Sequence, residues 1–473
     1  MPESIALHEQ SKTMTTPQSP ASSAVAVEWL QPSLPRHLPN LSYWHRTTDT
    51  FPYLNNDSEN APPAQVPIII IGTGISGALA AFKLIEAGTR SDDILLIEAR
   101  QAVSGSSGRN AGHIRPDAFR GFSGYAAVHG TEQALKICDT ENTVLKAWRA
   151  FIENHQIPCD FGLKQTFDVC MTDEIAEEEA RNLQEYVAAG GSMDGIQVYG
   201  TEETALKLGI EGAIAAYKWA AASIHPAKLA QWLLTQVVEQ GVHLWTHCPV
   251  TDITKAKTTY HFSWTVHTPR GEIATQQIIH CTNAHAGVLL PQLLPPQITP
   301  VRVQVQAFQL PSFAGDRALN TTMAVRFHPQ LFYGLSRSQS DGRMIVSVGK
   351  PNGISFDDSS YKQELVEETL GMLDKVFSAE KPTQFRPGEG VHDVWTGLVA
   401  MTPDRVPYIG AIDELPGQFI CAGFNGHGMA NIFACVEALV TLVRGGTWEE
   451  TTLPECYRYR KTRVAGERAV GRR

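Results

Sequence analysis

An α/β fold is predicted: one domain on a parallel sheet, and a second, discontinuous domain of mixed α+β character between its pieces. Three observations predict it. An apolar run breaks into spaced glycines and resumes with helical periodicity in VPIIIIGTGISGALAAFKLIEAG, Val66 to Gly88. A second apolar strand follows in DILLIEAR, and strand, glycine turn and helix return near the C-terminus in FICAGFNGHGMANIFACVEALVTLVRGG.

The first run is too short to span a membrane, because its continuous apolar part ends at Ile71 and a bilayer needs roughly 20 residues. It reads instead as a buried parallel strand over Ile68 to Ile71, with a helix under way by Ala78 to Ile85. Between them Gly72 permits a tight turn, Gly74 lets the backbone approach a pyrophosphate, and Gly77 lets helix and strand pack closely. The helix start presents unpaired N–H groups and a positive dipole end to an anion. Glycine turns are common, so context decides: Glu98 ends the second strand 21 positions after Gly77, where an acid reaches a ribose hydroxyl. Together these features predict a dinucleotide site. The alternative is a structural strand–turn–helix in which Glu98 only caps a strand.

With 473 residues the chain exceeds one ordinary core, and 43% hydrophobic with 19% charged residues is a globular composition. A formal charge of −10 argues against nucleic acid and against an anionic membrane surface as partners. The eight cysteines include no CxxC pair and have no His-rich companion, so neither a metal site nor a disulfide framework is expected. The first residues carry acids and no apolar stretch of a secretory signal, and AVGRR is no peroxisomal address, so a cytoplasmic location is expected.

Residues 1–40 are expected to be a disordered extension, being rich in Ser, Thr, Pro and Ala over the first 28 or so. Tyr43, Trp44, Phe51 and Tyr53 then form an ordered lead-in. After Glu98, ARQAVSGSSGRNAGHIRPD is long and glycine-rich, the signature of a functional loop or of a plain surface connection. Residues 126–214 read as helical. A helix led by Pro226 ends at Gly241, and strands with a hairpin at TPRGE return to the first sheet. VRVQVQAFQL, LFYGLSR, RMIVSVGK and a helix in YKQELVEETLGMLDKVF form a separate mixed unit, after which VHDVWTGLVAM rejoins the first domain. The expected division is 41–125, 215–300 and 388–450 for the nucleotide domain, 126–214 and 301–387 for a substrate domain, and 451–473 as a C-terminal tail. No internal repeat is present.

Four segments in this order, GTGISG with Glu98, SGSSGRNAGH, TPDRVPYIG and GFNGHGM, resemble the flavin-dependent amine and amino-acid oxidoreductase superfamily. That superfamily includes D-amino-acid oxidase, glycine oxidase and monomeric sarcosine oxidase. SGRNAGH is most similar to gamma-glutamylputrescine oxidase and its fungal relatives, which share an aromatic lead-in like SYWHR. The resemblance runs from about Ser42 to Gly446 and implies a Rossmann-type FAD-binding domain. It implies that Gly72, Gly74, Ile75, Ser76, Gly77, Glu98, Ala99 and Arg100 hold the ADP half, with the Val250 backbone on adenine. Ser107, Arg109, Asn110 and Gly112 would lie near the flavin, and Gly423, Asn425, Gly426, Gly428 and Met429 at its pyrimidine edge. Relatives with covalent flavin use a cysteine where this chain has Gly397, or a histidine where it has Arg109. Noncovalent FAD is therefore expected, with Cys281, Cys421 and His113 keeping a covalent link open.

The implied chemistry is hydride removal from a carbon bearing nitrogen, followed by hydrolysis of the imine, with oxygen or another acceptor reoxidising the flavin. A neutral amine can lose hydride without a strong base. For a small-molecule substrate the candidate contacts are Arg302, Tyr333, His328 and Lys350, with His427 beside the flavin. Each has a plainer reading: surface arginine, core aromatic, exposed turn lysine, polar loop histidine. Trp395 and Asp404 are expected to be structural. An alternative function keeps FAD but oxidises a sugar- or polyol-derived carbinol in a fungal secondary-metabolite pathway of the kojic acid kind. A third is a flavin module without turnover. The substrate, the acceptor and the oligomeric state stay open.

Overall fold

The chain is seen in a computed structural model that describes residues 31–37, 39–210, 212–257, 262–294, 297–309, 320–350, 353–376 and 390–466. The expected disorder of residues 1–30, the tail beyond 466 and parts of the second domain (310–319 and 377–387) lie outside the described residues.

Ile68–Ile71 is a strand with all four side chains buried. It pairs in parallel with Ile94–Ile97 on one side and Gln277–His280 on the other. The six-stranded sheet runs in the order Tyr408–Ala411, Gln418–Ala422, Gln277–His280, Ile68–Ile71, Ile94–Ile97, His243–Trp245. Only its outermost strand, Tyr408–Ala411, is antiparallel to its neighbour. Continuous apolar strands of this kind need both faces covered. The helices Ile75–Glu86, Pro226–Glu239 and Gly428–Val443 contribute to that cover, meeting around Leu79, Leu233 and Leu439, each fully buried. Burying such a leucine stabilises the fold by about 1.5–3 kcal/mol. Phe151 meets Phe82 edge to face and Trp232 meets it tilted, with ring centroids 5.5 and 5.8 Å away.

A nine-stranded sheet stands beside it, ordered Gly390–Met401, Thr299–Gln309, Met344–Val348, Leu331–Arg337, Thr322–His328, Gly162–Cys170, Ala215–Ser223, His113–Ile114, with Gln197–Gly200 also paired to Ala215–Ser223. Four expectations change here. The span 126–214 holds the nine-residue strand Gly162–Cys170 besides its helices. Ala215–Ser223 and Gly390–Met401, expected in the nucleotide domain, pair into this larger sheet. Asp252–Lys255, Trp264–Thr268 and Gly271–Thr275 contain the expected hairpin but form a three-stranded sheet of their own. Alternation along a strand shows which face is apolar, but its neighbours are chosen by tertiary packing.

The last difference is at the ends. Within the stretch expected to be disordered, the carbonyls of Ser33, Arg36 and Asn40 accept hydrogen bonds from the side chains of His285, Arg100 and Arg109, and the next element, the Tyr43–Arg46 helix, buries Tyr43 and Trp44. Residues 451–466 are no free tail: Leu453, Tyr457 and Tyr459 are buried, and Arg463 Nη2 donates to Asp404 Oδ1 at 2.8 Å. Among the described residues no helix is long and apolar enough to cross a membrane.

Candidate active site

The glycines after Ile71 act by leaving out side chains. Gly72 has φ 104°, and a Cβ there would lie 2.7 Å from the Cys281 carbonyl oxygen. At Gly77 a Cβ would meet the Gly72 carbonyl oxygen at 2.0 Å, so helix and turn touch only because the residue is glycine. Gly74 is the N-cap and offers no capping side chain. Of the first helical amides, Ile75 N–H donates to Ser107 Oγ at 2.9 Å. The Glu98 carboxylate is held at its strand end, Oε2 accepting from Thr73 N and Oγ1 at 3.1 and 2.9 Å and Oε1 from Arg100 N at 3.1 Å.

These groups border an open cleft whose space, mouth included, is about 1520 Å³. Gly72, Gly74, Ser76, Glu98, Ala99, Arg100 and Val250 line one end. Ser107, Arg109, Asn110, Gly426, Gly428 and Met429 line it further along. The glycine turn and the start of a twelve-residue helix suit a pyrophosphate, and the acid Glu98 stands at the end of the neighbouring strand as a ribose partner would, so the residues present fit FAD.

Five expected contacts stand behind the lining. Ile75 and Gly77 pack the helix on the sheet, and a Cβ at Gly112 would lie 2.7 Å from the Ile224 carbonyl oxygen. Gly423 N–H donates to Asn283 Oδ1 at 3.0 Å, while Asn425, at φ 51°, accepts from Thr402 N and donates to the Gly423 carbonyl, both at 2.7 Å. They shape the turn that presents Gly426 and Gly428.

Arg109 lines the cleft, but its guanidinium is engaged. Nε donates to Ser104 O at 2.9 Å and Nη1 to Thr396 O at 2.7 Å, and Nε lies 3.6 Å from Asp358 Oδ2. Burial lowers its pKa to about 10, although Asp358 works the other way. Arg100 Nη1 meets the same Asp358 oxygen at 2.9 Å. Trp395 is structural, as expected: it is fully buried and its Nε1 donates to Arg109 O at 2.8 Å. Of the residues weighed for a covalent link, Cys281 lines the cleft, Cys421 is buried beside it, and His113 lies in the nine-stranded sheet with its pKa lowered to about 3 by burial. Sequence reasoning missed Asp358, Leu34, Pro35 and His285, which also border the cleft, and the apolar wall of Val303, Leu398, Val399 and Ala400. No motif surrounds them; they arrive by chain crossing.

His427 is the N-cap of the Gly428–Val443 helix, with Nδ1 3.4 Å from Glu141 Oε1 and Nε2 3.9 Å from Asp117 Oδ2. Burial disfavours its charged form, but the two carboxylates outweigh burial and raise its pKa. Asp117 continues to Arg120, whose Nε is 3.7 Å from Asp168. Arg115 and Arg326 approach Asp168 at 3.4 and 3.5 Å, and Arg326 contacts Glu179. Burial, then repulsion from Asp168, raises the Glu179 pKa to about 8, with Arg326 only partly offsetting them. A carboxyl whose folded pKa lies above its unfolded value stabilises the fold while protonated, and that contribution is lost as pH rises from about 4.5 through 8. Thermal midpoints of the holoprotein should therefore fall across this window, and Glu179→Gln should flatten the fall; equal slopes in the two proteins would show that Glu179 does not titrate there.

The expected substrate contacts are not brought together. Arg302 Nη1 donates to Ser360 Oγ at 3.1 Å, and Tyr333 is buried in a core cluster, its ring 6.1 Å from that of Phe327. His328 is exposed, its Nδ1 accepting from Gln330 N, and Lys350 Nζ pairs with Glu368 at 3.1 Å on the surface. None of the four lines the cleft. A two-residue period cannot say which strand face looks at a ligand and which at another core. Lys350→Met is expected to leave stability within about 1 kcal/mol and flavin reduction unchanged, since an exposed pair contributes little; slower reoxidation in air would restore Lys350 to the site.

Known proteins of similar sequence include oxidoreductases. "Probable oxidoreductase OrdL" of Haemophilus influenzae is 22% identical over 384 residues, 80% of this chain and 83% of that one. "Gamma-glutamylputrescine oxidoreductase" of Escherichia coli is 23% identical over 381 residues, again 80% of this chain and 83% of its own length. The crystal structure of L-proline dehydrogenase from P. horikoshii superposes with a TM-score of 0.67 at 22% identity, covering 84% of this chain and 97% of that one, a likeness of fold. The family described as FAD dependent oxidoreductase (DAO) matches residues 67–442, most of the chain, so this protein belongs to that family and is an FAD-dependent enzyme.

Proposed function

We propose that the protein oxidises the C–N bond of a small amine or amino acid, a hydride leaving the carbon that bears nitrogen and water then hydrolysing the imine. Bound FAD supplies the two-electron acceptor. The observation that carries this reading is the state of the cleft's charges. Among the described residues lining it, Glu98 is taken up by Thr73 and the Arg100 amide, and Arg100, Arg109 and Asp358 by one another. No carboxylate is left poised as a strong base, which suits loss of hydride from a neutral amine. Val303, Leu398, Val399 and Ala400 form an apolar wall that keeps water from the reacting carbon. The amides of Gly428 and Met429 start a sixteen-residue helix, whose positive end favours anionic charge beside it. The printed names of two similar proteins, gamma-glutamylputrescine oxidoreductase and L-proline dehydrogenase, point to the same substrate class. We assign the nine-stranded sheet to the substrate side and the six-stranded sheet to the nucleotide.

Anaerobic bleaching of the flavin's visible band tests the reading, with amines, amino acids and polyols as the panel. Bleaching by an amine or amino acid, reversed on admitting air, is the expected result, with oxygen as acceptor. Bleaching by polyols alone would replace it with carbinol oxidation.

A further inference from the structure

Residues 33–37 and 39–42 run beside the cleft without regular secondary structure and bond to residues that line it. The Ser33 carbonyl accepts from His285 Nδ1 at 2.9 Å, and the Arg36 carbonyl from Arg100 Nη1 at 3.3 Å. Asn40 makes most of the ties: its N–H donates to Asp358 O at 3.3 Å, its side-chain oxygen accepts from Arg109 Nη1 at 3.1 Å, and its carbonyl from Arg109 Nη2 at 2.5 Å. Its Nδ2 reaches Val394 O on the opposite strand at 3.5 Å. Ser42 Oγ then donates to Gly108 O at 2.6 Å, and buried Tyr43 and Trp44 anchor the helix that Ser42 caps. Between the ties Leu34 and Pro35 border the cleft itself.

The composition of this strap matters. Pro32, Pro35 and Pro39 fix their own φ angles and so lower the entropic cost of ordering this segment. Leu34, which borders the cleft with Pro35, is 38% exposed, and the described part of the strap is held by a handful of hydrogen bonds. Segments of that kind open locally at far lower free energy than the whole fold. Its fixed end at Ser42 and its tied end at Ser33 make it a cover hinged on the Tyr43–Arg46 helix.

We infer that residues 33–37 and 39–42 form a clasp over the FAD site, opening to admit the cofactor and closing to retain it, with Asp358 and Arg109 as its pin. The inference rests on FAD occupying the cleft. It is independent of which substrate is oxidised.

The test is the rate of FAD release from the holoprotein, read as the rise in free-flavin fluorescence after dilution. A chain shortened to begin at Ser42 should release FAD about tenfold faster than the full chain. If the shortened chain fails to fold, Leu34→Gly with Pro35→Gly, which keeps every tie, carries the test and should still accelerate release severalfold. Release within about twofold of the full chain in whichever variant folds would overturn the clasp. A second readout needs no variant: trypsin should cut after Arg36, which is exposed, at least about tenfold faster in apoprotein than in holoprotein, with the fragment identified by mass. Equal cutting rates would likewise overturn it. A full chain that neither carries nor takes up FAD would instead overturn the cofactor assignment on which the clasp rests.

Discussion

Gly77→Ala is expected to give a chain that purifies without FAD and unfolds well below the intact protein. The added Cβ would sit 2.0 Å from the Gly72 carbonyl oxygen, 3.1 Å from the Gly72 carbonyl carbon and 3.3 Å from Ile70 Cγ2. Two of these are backbone atoms of the turn at the proposed pyrophosphate site, where they cannot swing aside as a flexible side-chain end would. Relief requires the helix to lift from the sheet, which opens contacts around Ile75 and Leu79, both fully buried, and misplaces the helix start as an anion site. Gly74 makes the contrast. A Cβ there would meet Ser107 Oγ at 2.9 Å, and a serine hydroxyl can rotate away, so Gly74→Val should fold. Its side chain would still fill the approach to the pyrophosphate, so it should bind FAD at least about a hundredfold more weakly. Flavin absorbance of the purified proteins and thermal unfolding of the apoproteins separate the two. A yellow, fully loaded Gly77→Ala protein would contradict the packing, and a yellow Gly74→Val protein the placement of the phosphates.

That pair also marks where the sequence was readable. GTGISG, Glu98 and the buried strands are local signals, since turn, helix start and acid lie within a few tens of residues and their spacing is set by backbone geometry alone. Local signals of this kind reach Gly72, Gly74 and Glu98 in the lining of the cleft, and the second strand–turn–helix reaches Gly426 and Gly428. Strand pairing was not readable in the same way. Ala215–Ser223 is rich in alanine, which does not favour strands, and nothing in AAYKWAAAS says that it pairs beside Gly162–Cys170. The substrate-facing arginine failed for a related reason. Arg302 is paired with Leu398, so the two share a face of the sheet, and Leu398 belongs to the lining of the cleft, yet the arginine turns to Ser360, a partner that no local pattern names. Asp358 carried no signal at all, because DDSS reads as a polar loop until the chain folds it against two arginines distant in sequence.

Removing that carboxylate should cost more than any surface charge. The side chains of Arg100, Arg109 and Asp358 are 6%, 1% and 3% exposed, so Asp358→Ala leaves two guanidinium groups out of water and facing each other without an anion. Their neutral partners remain, Ser104 and Arg36 for Arg100, and Ser104, Thr396 and Asn40 for Arg109, so hydrogen bonding survives and the lost term is the charge. Breaking a buried pair in this way costs about 3–5 kcal/mol, against about 0–1 kcal/mol for an exposed pair such as Lys350 with Glu368. Urea unfolding of the apoproteins should therefore separate Asp358→Ala from Glu368→Ala by at least about 2 kcal/mol. Adding Arg100→Met to Asp358→Ala should recover part of the loss, because one uncompensated cation is then gone while its apolar stem is replaced. A double variant weaker by the full sum of the two single changes would mean that the arginines do not feel each other through Asp358. The strap would then be held by its neutral hydrogen bonds alone, and the two lips of the cleft would need no shared anion to stay closed.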